Sequence, residues 1–265
     1  MSRVTQVLAN RGNRKLLIPF FTAGYPTIGG SYSLISKAAN AGADILEIGM
    51  PFSDPLADGP SIQYSSQIAL EQGTNLDTVF DLVKKLRRTT EIPILLMGYF
   101  NPILAFGPNK FVTRCAGVGV DGLIIPDLPL DEAGEIRSLL VKSSLSLILL
   151  AAPTSTDQRL KQISRLATDF VYAVTVTGVT GSRTSFDSAT DTYLKRLARI
   201  LDKPFVAGFG VSSAESAGRL THYADGVVLG SALIELIRKQ GLVRGEAQVL
   251  KLLSQIRRKL DGNQG

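Results

Sequence analysis

Glu47 ends a short apolar run and opens the loop Ile48-Gly49-Met50-Pro51-Phe52-Ser53-Asp54-Pro55-Leu56-Ala57-Asp58-Gly59-Pro60. A carboxylate placed among apolar side chains is costly to desolvate, and the cost raises its pKa. A carboxyl tuned that way can both give and take a proton near neutral pH. Asp54 and Asp58 follow within the same loop. Ser53-Asp54-Pro55 also suits an ordinary turn. Three later segments are rich in glycine: Thr177-Gly178-Val179-Thr180-Gly181-Ser182, Gly208-Phe209-Gly210-Val211-Ser212 and Gly230-Ser231. Glycines let backbone N–H groups approach an anion, and a helix beginning at Ser231 would add its dipole. Together these segments predict a phosphate site.

What is missing narrows the chemistry. His222 is the one histidine in the chain and Cys115 the one cysteine. His222 falls at the end of a predicted helix, and Cys115 reads as a helix packing position. A histidine-based metal site is therefore not expected, although an all-carboxylate magnesium site stays open. No lysine falls at the C-terminal end of a predicted strand, so a Schiff-base mechanism lacks its nucleophile. No Gly-x-Ser-x-Gly elbow, Walker loop or Cys-x-x-Cys occurs. Proton transfer by carboxylates on a phosphorylated substrate remains, with the substrate as its own electron sink.

Such residues need a frame that brings distant loops together. Eight short apolar runs predict strands: Leu16–Phe21, Asp44–Ile48, Ile94–Met97, Gly122–Ile125, Leu145–Leu150, Phe170–Val174, Phe205–Ala207 and Gly226–Leu229. Nearly continuous apolar runs fit parallel strands buried on both faces. Amphipathic stretches alternate with them: Ser31–Ala41, Leu76–Arg88, Asp131–Lys142, Asp157–Leu166, Thr192–Leu201, Ala214–Leu220, Ser231–Lys239 and Val249–Leu260. Thr156 and Ser212 read as helix-start residues. Alternation of this kind predicts an α/β fold. A chain of 265 residues matches the roughly 250 of a (β/α)8 TIM barrel, which would occupy 1–265 as one domain. A doubly wound sheet is disfavoured, because Thr22-Ala23-Gly24-Tyr25-Pro26 is not a dinucleotide fingerprint.

Bulk properties are those of an ordinary globular protein. Hydrophobic residues make up 45% and charged residues 20%, enough apolar material for a core. The net charge of +6 raises the question of a nucleic-acid partner. The basic runs, Lys84, Lys85, Arg87 and Arg88, then Arg257, Arg258 and Lys259, read instead as solvated helix faces. No apolar signal-peptide core occupies Met1 to Arg14, and no run of 18 apolar residues exists. The expected compartment is the cytoplasm, with no membrane partner.

The segment from Glu47 to Gln63 closely resembles the signature of tryptophan synthase alpha subunits. So do Pro19-Phe20-Phe21-Thr22-Ala23-Gly24, Gly178-Val179-Thr180-Gly181 and Gly208-Phe209-Gly210-Val211-Ser212, in order along the chain. The resemblance implies a (β/α)8 barrel that cleaves indole-3-glycerol phosphate to indole and glyceraldehyde 3-phosphate. It implies Glu47 as acid and base, and Asp58 as the carboxylate that binds the indole N–H. Thr180 would close over the substrate and contact Asp58. Phe20, Ile62, Tyr99, Ile124, Tyr172 and Phe209 would line the indole slot, and Gly181, Gly210, Gly230 and Ser231 the phosphate site. The family works in an α2β2 complex whose beta subunit holds pyridoxal phosphate, with no cofactor expected on this chain. Asp54, Pro55, Asn101, Asp127 and Pro129 match the partner-facing region. Pro126 and Pro129 predict a stiffer loop than the family's usual one, and Arg183 could anchor the mobile loop or the phosphate. Three rival readings stay open: a stand-alone indole-releasing lyase, a chiefly regulatory subunit, and another phosphate-binding barrel such as a sugar-phosphate epimerase. The last would need metal-binding histidines.

Overall fold

A computed structural model describes residues 2–174, 188–208 and 210–262. The predicted roles of Thr180, Gly181, Arg183 and Phe209 fall outside the described residues. Eight strands, β1 (Leu16–Thr22), β2 (Leu46–Gly49), β3 (Ile94–Met97), β4 (Gly122–Ile124), β5 (Ser146–Ala151), β6 (Val171–Val174), β7 (Phe205–Gly208) and β8 (Gly226–Leu229), pair in sequence order and close β8 onto β1. All eight pairings are parallel. The strands are buried along nearly their whole length, which explains why they read as apolar runs without alternation. The barrel interior and its helical jacket form one hydrophobic cluster.

Helices α1 (Arg3–Asn10), α2 (Ile28–Asn40), α3 (Pro60–Glu71), α4 (Leu76–Leu86), α5 (Phe100–Phe106), α6 (Pro108–Val118), α7 (Leu130–Lys142), α8 (Asp157–Leu166), α9 (Ser188–Ile200), α10 (Ala214–Leu220) and α11 (Ser231–Gly262) surround it. Local chemistry starts several of them. Asn75 and Thr78 form a capping box on α4, and the Thr156 hydroxyl accepts the Arg159 N–H at 3.2 Å on α8. The cap of α10 is Ser213 rather than Ser212: its hydroxyl takes the Ser216 N–H at 3.2 Å. The apolar face of α4, Val79, Phe80, Val83 and Leu86, is fully buried. The stretches expected as two helices at 231–239 and 249–260 are two helices that meet at a kink within the span labelled α11. Gly241, at φ 72°, interrupts its helical backbone there.

Two basic residues are not on solvated faces. Arg87 turns back into the protein, donating to the carbonyls of Gly119 (2.7 Å) and Ile92 (2.6 Å) and pairing with Asp121. Arg257 is 7% exposed and donates to the Lys15 carbonyl at 3.0 Å and to Asp44 at 2.8 Å. Their long apolar stems cover core while the guanidinium donates to loop-end carbonyls. Lys84, Lys85, Arg88, Arg258 and Lys259, the rest of those runs, are exposed as expected.

An aspartate stands one or two residues before each even-numbered strand: Asp44, Asp121, Asp169 and Asp225. The N-terminal segment touches all four. Arg3 reaches Asp121 (3.2 Å), Thr5 donates to Asp169 (2.7 Å), Arg11 to Asp225 (2.7 Å) and Arg14 to Asp44 (2.9 Å). Three of the aspartates also accept strand N–H groups, those of Leu17, Ile94 and Phe205. The end of the barrel where the strands start is thereby sealed, and chemistry is left to the opposite rim.

Candidate active site

Strand β2 delivers Glu47 into the barrel beside Phe20 of β1 and Leu95 of β3. Glu47 is 1% exposed, and neither carboxylate oxygen has a hydrogen-bond partner among the described residues. Burial, with a smaller contribution from the Asp58 charge, raises its pKa to about 8. It therefore carries its proton at neutral pH.

Asp58 sits where the loop after β2 turns into α3, with Gly59 and Pro60 starting the helix. The Gln63 side-chain amide donates to the Asp58 carbonyl (2.9 Å) and to the Pro55 carbonyl (3.3 Å), folding the loop onto its own helix. The Tyr99 hydroxyl, just past β3, donates to the Asp58 carboxylate at 3.2 Å and accepts the Ala57 N–H at 2.8 Å. Burial raises the Asp58 pKa to about 6, and the Tyr99 bond holds it back. Two neighbouring carboxyls thus have their proton affinities spread apart, one near 6 and one near 8. Such a pair divides naturally into an acid and an ionised partner.

A cleft at this rim is lined by Phe20, Ile62, Tyr99 and Asp58, together with Gly49, Met50, Ser66, Met97, Gly98 and Pro126. Its apolar walls and single carboxylate suit a flat aromatic group with one polar hydrogen. The Phe20 ring lies across β2 because residue 49 has no side chain: a Cβ there would stand 2.5 Å from Phe20 Cζ. Tyr172 is buried on β6, where Glu47 and Asp58 both act on its hydroxyl and raise its pKa in addition to burial. Gly208 on β7 makes room for that phenol, since a Cβ would collide with the ring. Ile124 is buried in β4, between Met97 and Ile148, and does not line this cleft.

Across the rim, Gly230 stands where β8 passes into α11, and its carbonyl accepts the N–H groups of Leu233 and Ile234. Ser231 and Gly210 are exposed there. Phe20 packs against this turn as well: a Cβ at residue 230 would stand 3.2 Å from its ring. Aromatic slot and helix end therefore share one wall.

Asp54, Asn101, Asp127 and Pro129 are exposed and Pro55 half-buried, on the segments after three adjacent strands, Asn101 being in the first turn of α5. Leu56 among them is 91% exposed. The Asp127 carboxylate also accepts the Phe100 N–H (2.9 Å), setting the start of α5. His222 is exposed at the end of α10 and meets Tyr223 edge-on, as its position in the sequence suggests. Cys115 is buried in α6, and burial pushes its thiol pKa up, so it is a packing residue. Among the described residues, no group of three or more His, Cys, Asp or Glu side chains is arranged to hold a metal ion.

Sequence reasoning placed Tyr99 only as a slot residue; its bond to Asp58 spans 41 residues of chain and leaves no local pattern. Met50, Ser66, Met97 and Gly98 were not anticipated as lining. Of these, Met50, Met97 and Gly98 lie at or just past strand ends, the positions from which barrel sites are built.

The family model for tryptophan synthase alpha chains matches residues 7–262. The tryptophan synthase alpha chain of Geotalea uraniireducens is 44% identical over 241 residues, 90% of each chain. That of Carboxydothermus hydrogenoformans is 42% identical over 96% of each. Among solved structures, the tryptophan synthase alpha subunit of Legionella pneumophila superposes with a TM-score of 0.89 at 34% identity, covering 99% of each chain. A chain from the tryptophan synthase α2β2 complex of Pyrococcus furiosus gives 0.86 at 37% identity, covering 92% of this chain and 98% of that one.

Proposed function

Because the chain belongs to the tryptophan synthase alpha chain family, whose members are lyases acting on indole-3-glycerol phosphate, we propose that Glu47 and Asp58 carry that cleavage here. The observation that carries the reading is the pair itself: a protonated, unpartnered Glu47 behind a cleft whose edge is an Asp58 of lower proton affinity.

The indole lies in the apolar cleft with its N–H toward the Asp58 carboxylate. Glu47 gives its proton to C3 of the ring, and positive charge develops on the indolenine nitrogen. Asp58 is placed to stabilise that charge as it forms. The Glu47 carboxylate, now poorly solvated, takes the proton of the glycerol hydroxyl next to the ring. The carbon–carbon bond breaks, its electron pair returns to the ring, and the hydroxyl carbon becomes the aldehyde of glyceraldehyde 3-phosphate. Glu47 ends as it began, so these steps balance without a cofactor on this chain. Pyridoxal phosphate belongs to the beta partner.

Gly210, Gly230 and Ser231, with Gly181, would hold the phosphate. Phe20 and Ile62 border the slot, Tyr99 steadies Asp58, and the Tyr172 hydroxyl feels the charge of both carboxylates. Phe209 would extend the lining, with Ile124 supporting it from β4, and Thr180 would close the loop over the substrate. The exposed edge of Asp54, Pro55, Asn101, Asp127 and Pro129, with Leu56 among them, is where the beta subunit would dock to form an α2β2 complex. The same reading takes 1–265 as one domain and the cytoplasm as its compartment. No described helix is long and apolar enough to cross a membrane.

The test is indole release from indole-3-glycerol phosphate, by the chain alone and with a beta subunit, using Glu47→Gln as control. Slow release, acceleration by the partner and loss in the control are the expected results. Fast release alone would favour a free-standing lyase, and release unchanged in the control would refute the mechanism.

A further inference from the structure

The two ends of the proposed substrate site sit on different helices. Asp58 leads into the first turn of α3, and the helix end at Gly230 and Ser231 begins α11. A polar contact joins the N-terminal parts of these two helices. The Ser61 hydroxyl donates to the Glu235 carboxylate at 2.9 Å across 174 residues of chain. Glu235 lies one turn inside α11, and Ser61 is three residues beyond Asp58.

The acceptor is fixed from the other side. Arg238 donates from Nε to both Glu235 oxygens (3.0 and 3.1 Å) and from Nη2 at 2.8 Å. Those bonds hold the Glu235 carboxyl below its ordinary range and keep it ionised. The Arg238 guanidinium also stands 5.9 Å above the Tyr64 ring of α3, and Tyr64 meets Tyr25 edge-on at 6.0 Å. On the α3 side, Gln63 ties the Asp58 and Pro55 carbonyls to the same first turn as Ser61. An unbroken chain of bonds therefore runs from the Asp58 backbone through α3 to α11.

We propose that the Ser61–Glu235 bond is a spacer that sets the distance between the indole-binding carboxylate and the phosphate-binding helix end, making Ser61 and Glu235 positioning residues for the intact substrate. The inference rests on the site reading above. A ligand occupying only one end does not sense the separation of the two helices. A ligand spanning both ends does, because misplacement by a fraction of an ångström is felt at the reacting carbon. The bond thus acts on chain length between ring and phosphate rather than on either group.

The experiment compares three ligands on the full chain: indole, glycerol 3-phosphate, and indole-3-propanol phosphate, which keeps both ends and cannot be cleaved. Calorimetry gives their affinities for wild type, Ser61→Ala and Ser61→Thr, and kcat and KM for indole-3-glycerol phosphate are measured alongside. Loss of one hydrogen bond at its ordinary net worth predicts roughly five- to tenfold weaker binding of the spanning ligand to Ser61→Ala. Indole and glycerol 3-phosphate should stay within about twofold. For cleavage, Ser61→Ala should raise KM by a similar factor and lower kcat as well, and Ser61→Thr, which keeps the hydroxyl, should restore both. Equal weakening of all three ligands, or no weakening of the spanning one, would overturn the spacer. Failure of wild type to bind the spanning ligand would instead overturn the site reading on which it rests.

Discussion

Replacing Glu47 with glutamine should change how stability depends on pH, apart from its effect on catalysis. In the folded chain the Glu47 carboxyl has a pKa of about 8, against 4.5 when unfolded. Below pH 4.5 both states hold the proton and there is no penalty. Between the two values the folded state keeps a proton that the unfolded state releases, so wild-type stability falls as pH rises. Above pH 8 the full cost applies, about 5 kcal/mol at about 1.36 kcal/mol per tenfold change in proton affinity. Between pH 5 and pH 9 the share of that cost is about 4 kcal/mol. Water entering the cleft would reduce it, so this is the upper end. The glutamine amide has no proton to lose and nearly the same shape, so its contribution is flat. The stability of Glu47→Gln minus that of wild type should therefore grow by several kcal/mol from pH 5 to pH 9. Urea unfolding at a series of pH values measures the difference directly. Thermal melts should show it as roughly 10 °C of extra divergence, at roughly 2–4 °C per kcal/mol for chains of this size. Parallel stability curves for the two proteins, within about 1 kcal/mol, would refute the claim that Glu47 is buried protonated without a partner.

Tyr99→Phe removes the bond that holds Asp58 down, so the acidic limb of the kcat/KM profile, near pH 6 for wild type, should move upward while cleavage drops roughly tenfold; an unmoved limb would separate Tyr99 from Asp58 in function. Gly208→Ala drives a methyl group into the Tyr172 ring, and should lower cleavage while costing about 1–3 kcal/mol of stability. Unchanged turnover in a folded Gly208→Ala protein would remove Tyr172 from the site. Arg257→Ala leaves Asp44 short of its buried partner and should cost about 3–5 kcal/mol in urea unfolding, part of it regained on adding Asp44→Asn. A loss below about 1 kcal/mol would mark that ion pair as incidental.

What could be read in the sequence is what short-range pattern encodes. All eight strands sit within a few residues of their apolar runs, because burial on both faces leaves little room for polar residues. Helix α3 carried no such mark: it buries Ser65 and Ser66 beside Ile62, and the Ser65 hydroxyl meets that of Thr22 at 2.6 Å. Its core face is partly polar, so the apolar period is broken. Helix α1 is likewise hidden, since arginine and threonine make its long-range polar contacts. Arg87 and Arg257 sit in charge runs that look exposed, and only the loop carbonyls they meet reveal them as interior residues. Glu47 stood out because an acid at the end of an apolar run is anomalous by itself, whereas Asp58 was set apart from Asp54 only by the family resemblance. Tyr99 to Asp58 and Ser61 to Glu235 join residues that are each ordinary, and tertiary closure alone makes them meaningful.

The seal at the strand-start end of the barrel bears on the order in which the chain can fold. Residues 3–14 find their partners at Asp44, Asp121, Asp169 and Asp225, so the Arg11 contact spans 214 positions. A segment that precedes every strand is thus among the last to be satisfied. Until β8 arrives, Arg11 has no Asp225 to meet, and the segment around α1 cannot complete its set of contacts. Loop-closure entropy is met progressively by the strand pairings, and the final contacts form only on an assembled ring. Docking of α1 therefore works as a completion mark, formed in full by a barrel that has all eight strands in place.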